Sequence, residues 1–172
     1  MAPGVRRSTG TIAFLTCLAV AMNAEPEVFS MKSWGNGAPG LSLSVPAGWA
    51  YTPQDGPDFD VHYFTNAAKD CTIALYVGMH PNLRAPREPE KVMGRSTSQI
   101  LGQTVHWTEM KRTGDAGEFF FSEAIIEHVF AGKTQSTEPV VTDLSLHLMI
   151  SATTAERANA CKQTLTTLDL QP

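Results

Sequence analysis

The stretch LSLHLMISATTAERANACKQTLTTL, residues 144–168, changes its hydrophobic period partway along. Leu144, Leu146, Leu148 and Ile150 alternate with Ser145, His147 and Met149, the period of two that puts one face of a strand into a core. Beyond Thr154 the repeat lengthens. Ala155, Ala158, Cys161, Leu165 and Leu168 recur every three or four residues, the stripe of an amphipathic helix. Thr153 or Thr154 supplies a capping oxygen, and Glu156 puts an acid in the first turn, where the helix dipole favours it. A strand that runs directly into a helix, with the helix stripe lying back on the sheet, is the unit of an α+β domain.

Working outward, residues 41–45 alternate as Leu-Ser-Leu-Ser-Val and stop at a Pro46-Ala47-Gly48-Trp49 turn, and residues 53–57 form a second turn cluster. Phe59, Val61 and Tyr63 alternate with Asp58, Asp60 and His62, and Ile73, Leu75 and Val77 share one face of a strand over 71–77. Residues 78–89 hold Pro81, Pro86 and Pro89 and are expected to form a loop. Residues 90–101 predict a short helix, with Gly94 costing it about 1 kcal/mol against alanine. Strands are expected over 104–111, 118–130 and 140–151, the first two joined by a turn at 113–117. The expected fold is α+β: an antiparallel sheet of five to six strands covered by a C-terminal helix and one short helix, with residues 25–40 a loose approach.

The first 24 residues have the pattern of an export leader. Arg6 and Arg7 open it, residues 11–22 are apolar and uncharged, and Ala19-Val20-Ala21 and Ala24 are small residues suited to cleavage. The apolar run is shorter than the ~20 residues a spanning helix needs. Residues 1–24 are therefore expected to be removed as a signal peptide, leaving residues 25–172 as a single soluble domain, periplasmic or secreted, with no membrane span. The chain has 17 acids against 13 lysines and arginines, and losing the two leader arginines moves its balance from −4 to −6. That sign argues against nucleic acid, whose phosphates need a basic face. Cys71 and Cys161 remain after cleavage, and an oxidising compartment predicts a disulfide between them. Neither belongs to a C-x-x-C pair, so a dithiol redox centre is not expected.

With the elements in this order, the chain resembles a known group. A strand ending in Val45-Pro46-Ala47-Gly48-Trp49, a middle helix, a long antiparallel meander and a last strand running into the helix from Thr154 are similar to the Mog1/PsbP/DcrB-like domains. The resemblance covers most of the chain beyond the leader. Members of that group mostly bind proteins or act as accessory envelope factors and share no catalytic site. The resemblance therefore implies a binding role and transfers no functional residue.

The residues admit three chemistries. Asp58, Asp60 and His62 share one face if their segment is a strand, and with His80, His128 or His147 they have the donor types of a divalent metal site. The same residues read as a solvated strand face, since their spacing matches no metal signature. Enzymatic chemistry lacks a motif: there is no G-x-S-x-G elbow and no glycine-rich loop leading into a helix, and no other cofactor is implied. The proline-stiffened loop carries Met79, Leu83, Arg84 and Arg87, residue types enriched at interfaces, and one phenylalanine of Phe119-Phe120-Phe121 must face away from its neighbours. The expectation is a non-enzymatic module that binds a protein partner in the cell envelope, inhibitor- or immunity-like. The alternatives are a metal-binding protein or metal-dependent enzyme on Asp58, Asp60 and His62, or a carrier of a small apolar ligand between helix and sheet.

Overall fold

The computed structural model describes residues 25–32, 39–79, 81–88, 90–114, 117–130 and 144–171. In chain order the elements are β1 (Glu27–Met31), β2 (Gly40–Val45), β3 (Ala50–Asp55), β4 (Phe59–Thr65), β5 (Cys71–Gly78), β6 (Lys91–Ile100), β7 (Gln103–Gly114), β8 (Gly117–Ile126), β9 (Ser145–Ala152), α1 (Ala155–Leu165) and β10 (Asp169–Gln171). The strands pair antiparallel in two sheets, one ordered β1-β2-β10 and one ordered β3-β4-β5-β9-β8-β7-β6.

The expected α+β class is thereby corrected. Among the described residues the fold is mostly β, with sheets of seven and three strands in place of one sheet of five to six, and α1 is the single helix. The short helix expected over 90–101 is strand β6. Leu101 and Gly102 take φ of +52° and +74°, the positive values of a two-residue hairpin turn whose twist suits antiparallel strands. Gly94, the weak point of the expected helix, lies where the β6–β7 register shifts after Val92, and a bulge there gives it a backbone role. β6 is also an edge strand, exposed or half-exposed along most of its length, so no apolar alternation marked it in sequence. Residues 27–31, expected within the loose approach, form β1. Residues 50–55, expected to turn at Pro53, form β3, which keeps its proline because it lies at the other edge. The leader, His80, Pro89, the middle of the 113–117 turn and the first residues of the strand expected over 140–151 lie outside the described residues.

β9 is the axis of the core. Its Leu146, Leu148 and Ile150 are buried on the inner face of the large sheet, in register with Val77, Leu75 and Ile73 of β5 and with Ile126, Ala124 and Ser122 of β8. α1 covers this face with Ala158, Cys161 and Leu165, while Ala155 is exposed rather than in the stripe. The Thr154 hydroxyl accepts from the Arg157 N–H at 3.2 Å, the expected cap. The small sheet buries Leu41, Leu43 and Val45 against the same core, and Phe29 of β1 meets Tyr51 and Phe64 at ring-centroid distances of 5.4 and 5.7 Å. Cys71 of β5 and Cys161 of α1 are bonded, with Cα atoms 6.9 Å apart, tying sheet to helix. Such a bond suits an oxidising, extracytoplasmic compartment.

Candidate functional site

Leaving β5, the chain must pass β9, β8 and β7 before it can begin β6 at the far edge. The described residues of this connection, Met79, 81–88 and Glu90, form a strap over the outer face, where Tyr63, Ala74, Met149, Glu123 and Thr108 stand side by side across five strands. Arg84 holds the strap down. Its backbone N–H donates to Glu123 Oε2 and its Nε to Glu123 Oε1, both at 3.1 Å. Its Nη1 donates to both oxygens of Glu90 at 2.9 and 2.7 Å, and its guanidinium carbon lies 5.5 Å from the centre of the Phe121 ring. Phe119 and Phe121 thus share the outer face of β8, where Phe121 lies beneath Arg84, while Phe120 turns inward and packs against the core.

Both carboxylates are buried, with 7% of the Glu123 side chain and 4% of the Glu90 side chain exposed. Burial pushes the Glu123 carboxyl up, but His147 and Arg84 outweigh it and hold it below the ordinary range. Glu90 is lowered first by the Arg87 N–H, which donates at 2.9 Å, and then by Arg84. Arg84 is raised chiefly by Glu90. The triad is therefore fully ionised at neutral pH. His147 sits beneath it, buried, with Nε2 3.6 Å from Glu123 Oε2 and no hydrogen bond to that nitrogen among the described residues.

The strap borders two open clefts. One, of about 340 Å³, is lined by Tyr63, Thr72, Met149 and Ser151 with Arg84 and Arg112 at its rim. The other, of about 500 Å³, lies between Leu83 and the outer side of β6 and β7 at Arg95, Thr97, His106 and Thr108. Of the interface residues expected from sequence, Met79, Leu83 and Arg87 are exposed, and Arg84 is half-buried with its Nε donating to Glu123 and its Nη1 to Glu90.

Asp60 and His62 do share a face of β4, with Asp58 just before the strand, but that face is the inner one. His62 is buried, its Nδ1 is 3.0 Å from the Tyr51 hydroxyl, and the two rings stack with centroids 6.0 Å apart. Burial lowers the His62 pKa, with Asp60 and Asp55 opposing. Among the described residues no three His, Cys, Asp or Glu side chains gather as a metal ion would need.

The space between helix and sheet, expected as a site for an apolar ligand, holds an ion pair. Lys162 of α1 is buried, bonds Glu109, reaches Ser96 Oγ at 3.3 Å and lies 5.6 Å from the centre of the Trp107 ring. The cavity beside it is about 220 Å³, below the ~300–1,000 Å³ of small-molecule sites. Neither Lys162–Glu109 nor Glu90–Arg84–Glu123 was read from sequence. The signal for Glu123 was there, an acid inside the apolar strand run FFFSEAII, because a buried acid needs a partner.

No helix among the described residues is long and apolar enough to cross a membrane. No protein-family model matches the chain, and no curated protein matches it in sequence. The Mog1/PsbP/DcrB-like resemblance thus stays a likeness in element order, and it loses its middle helix, which is β6. Among solved structures the chain is similar to LpqN, described as involved in cell envelope biogenesis of Mycobacterium tuberculosis, at 10% identity and a TM-score of 0.49, over 87% of this chain and 93% of that one.

Proposed function

We propose that this chain is an exported, non-enzymatic binding module of the cell envelope, periplasmic or secreted, which contacts another protein through residues 79–93. One observation carries the reading. Among the described residues, four of the five exposed large hydrophobic side chains, Met79, Leu83, Val92 and Met93, lie in this single run, and Val28 is the fifth. Exposed methionine and leucine side chains with arginines in the same run are residue types enriched at interfaces. The Arg84 ion pairs hold the strap in one conformation before any partner arrives, which lowers the ordering cost of binding. The leader pattern and the Cys71–Cys161 bond support the location. Accessory or inhibitor-like action fits the small size and the absence of a catalytic motif.

The test is to express the full chain with its own leader and a C-terminal tag, then purify it from the envelope fraction beside Leu83→Asp, Met93→Asp and Val28→Asp. A stoichiometric protein retained by the parent and by Val28→Asp, but lost from the other two, is the expected result. Equal retention by all four, or a protein-free preparation carrying a divalent metal that is lost when Asp58, Asp60 and His62 become alanine, contradicts it.

A further inference from the structure

The two edges of the large sheet differ. β3, at one edge, has six residues, carries Pro53 and ends on Asp55. Proline removes a ladder donor and is an ordinary device against the pairing of a stray strand. β6, at the other, has ten residues, about 33 Å of strand, and no proline. Among the described residues no strand pairs with its free side. Its one irregularity is the shift between Val92 and Gly94, after which residues 94–100 pair one for one with β7. A long regular edge is a template for strand addition.

Charge indicates what adds to it. Lys91 and Arg95 on β6 are exposed, and so are Arg87 just before it and Arg112 on β7. Among the described residues nearby acids are mostly taken: Glu90 by Arg84, Glu109 by Lys162 and Glu118 by Lys111, leaving Glu88. A basic edge on a chain of net charge −4 is a local inversion, and a second copy would present the same basic edge and be repelled. We infer that β6 docks an extended, acidic segment of a partner protein by strand addition, with Val92 and Met93 receiving apolar side chains at the bulged end. This rests on the binding-module reading and names the kind of partner segment.

The probe is a fluorescent ten-residue peptide alternating glutamate with threonine and valine, titrated onto the full protein by anisotropy. Saturable binding is expected, with amide exchange slowed over residues 94–100. N-methylating every second peptide residue, in either register, should weaken it, at least about tenfold in the register that faces β6, and so should the pair Lys91→Glu and Arg95→Glu, with the milder Lys91→Gln and Arg95→Gln pair intermediate. The inference is overturned by equal binding of both methylated peptides, by equal binding to the charge-reversed protein, or by tighter binding of anionic lipid vesicles or an oligonucleotide to the same arginine and lysine. If the charge-reversed protein still captures the envelope partner while the peptide fails to bind, the edge inference falls and the binding-module reading stands.

Discussion

Arg84 and Glu123, 39 residues apart in the chain, are joined twice: the Arg84 backbone N–H and the Arg84 Nε each donate to the Glu123 carboxylate at 3.1 Å. One buried side chain on β8 therefore fixes both the main chain and the guanidinium of the strap. Glu123→Ala removes both bonds and leaves Arg84 partly uncompensated. A loss of about 1–3 kcal/mol is expected from urea unfolding, below the range for stranding a fully buried charge because Arg84 keeps Glu90 and is partly solvated. Glu123→Gln keeps an oxygen for the Arg84 N–H and should cost less. An alanine variant within about 0.5 kcal/mol of the parent would remove Glu123 as the anchor.

Acid should weaken the fold in two steps. The folded-state pKa of His62 lies below its ordinary 6.5 because the ring is buried. Its contribution is present above 6.5 and is lost as pH falls through the folded value. Glu90, Glu109 and Glu123 lie below their ordinary 4.5, so their contributions are present above 4.5 and vanish as pH falls through their lower folded values. The urea midpoint should fall modestly below pH 6.5 and steeply below pH 4.5. His62→Gln should remove the first decline, and Glu90→Gln with Glu123→Gln should flatten the second. A midpoint that rises on acidification contradicts both assignments.

The Lys162–Glu109 pair predicts an asymmetric mutant cycle. Glu109→Leu strands the buried Lys162 ammonium, 9% exposed, and should cost about 3 kcal/mol or more. Lys162→Met leaves an acid that is one-third exposed and can be hydrated, and should cost less. The double variant should come within about 1–2 kcal/mol of the parent, since a packed apolar pair avoids the desolvation of two charges. Additive losses would mean that the two side chains act independently.

The disulfide closes a separation of 90 residues. Replacing Cys71 and Cys161 by alanine together should cost about 2–5 kcal/mol, read as a lowered melting temperature, with chain entropy alone giving roughly 4–5 kcal/mol for such a loop. A melting temperature unchanged by the substitution and by reductant would mean that the bridge contributes nothing to the folded state.

What was legible in sequence followed burial. The alternation of β9 and the start of α1 were legible because Leu146, Leu148, Ile150, Cys161 and Leu165 are buried and had to recur at the right period, whereas Ala155, expected in the same stripe, is exposed. β6 was misread because an edge strand with exposed residues on both faces imposes no such period. The strap was legible as a proline-rich loop, but its path was not. Arg84 meets Glu123 only because the β5–β6 connection crosses three strands, a consequence of sheet order rather than of any local pattern. Asp60 and His62 were placed on a common face correctly, yet the register of β4 turns that face inward, toward Tyr51.

The most direct test of the binding run is site-specific photocrosslinking in the source envelope, with the reactive group at Leu83 or Met93 and a control at exposed Thr52 on the opposite sheet edge. The account predicts one discrete protein adduct from Leu83 and Met93 and none from Thr52. An adduct from Thr52 alone, or no adduct from any position, would contradict it.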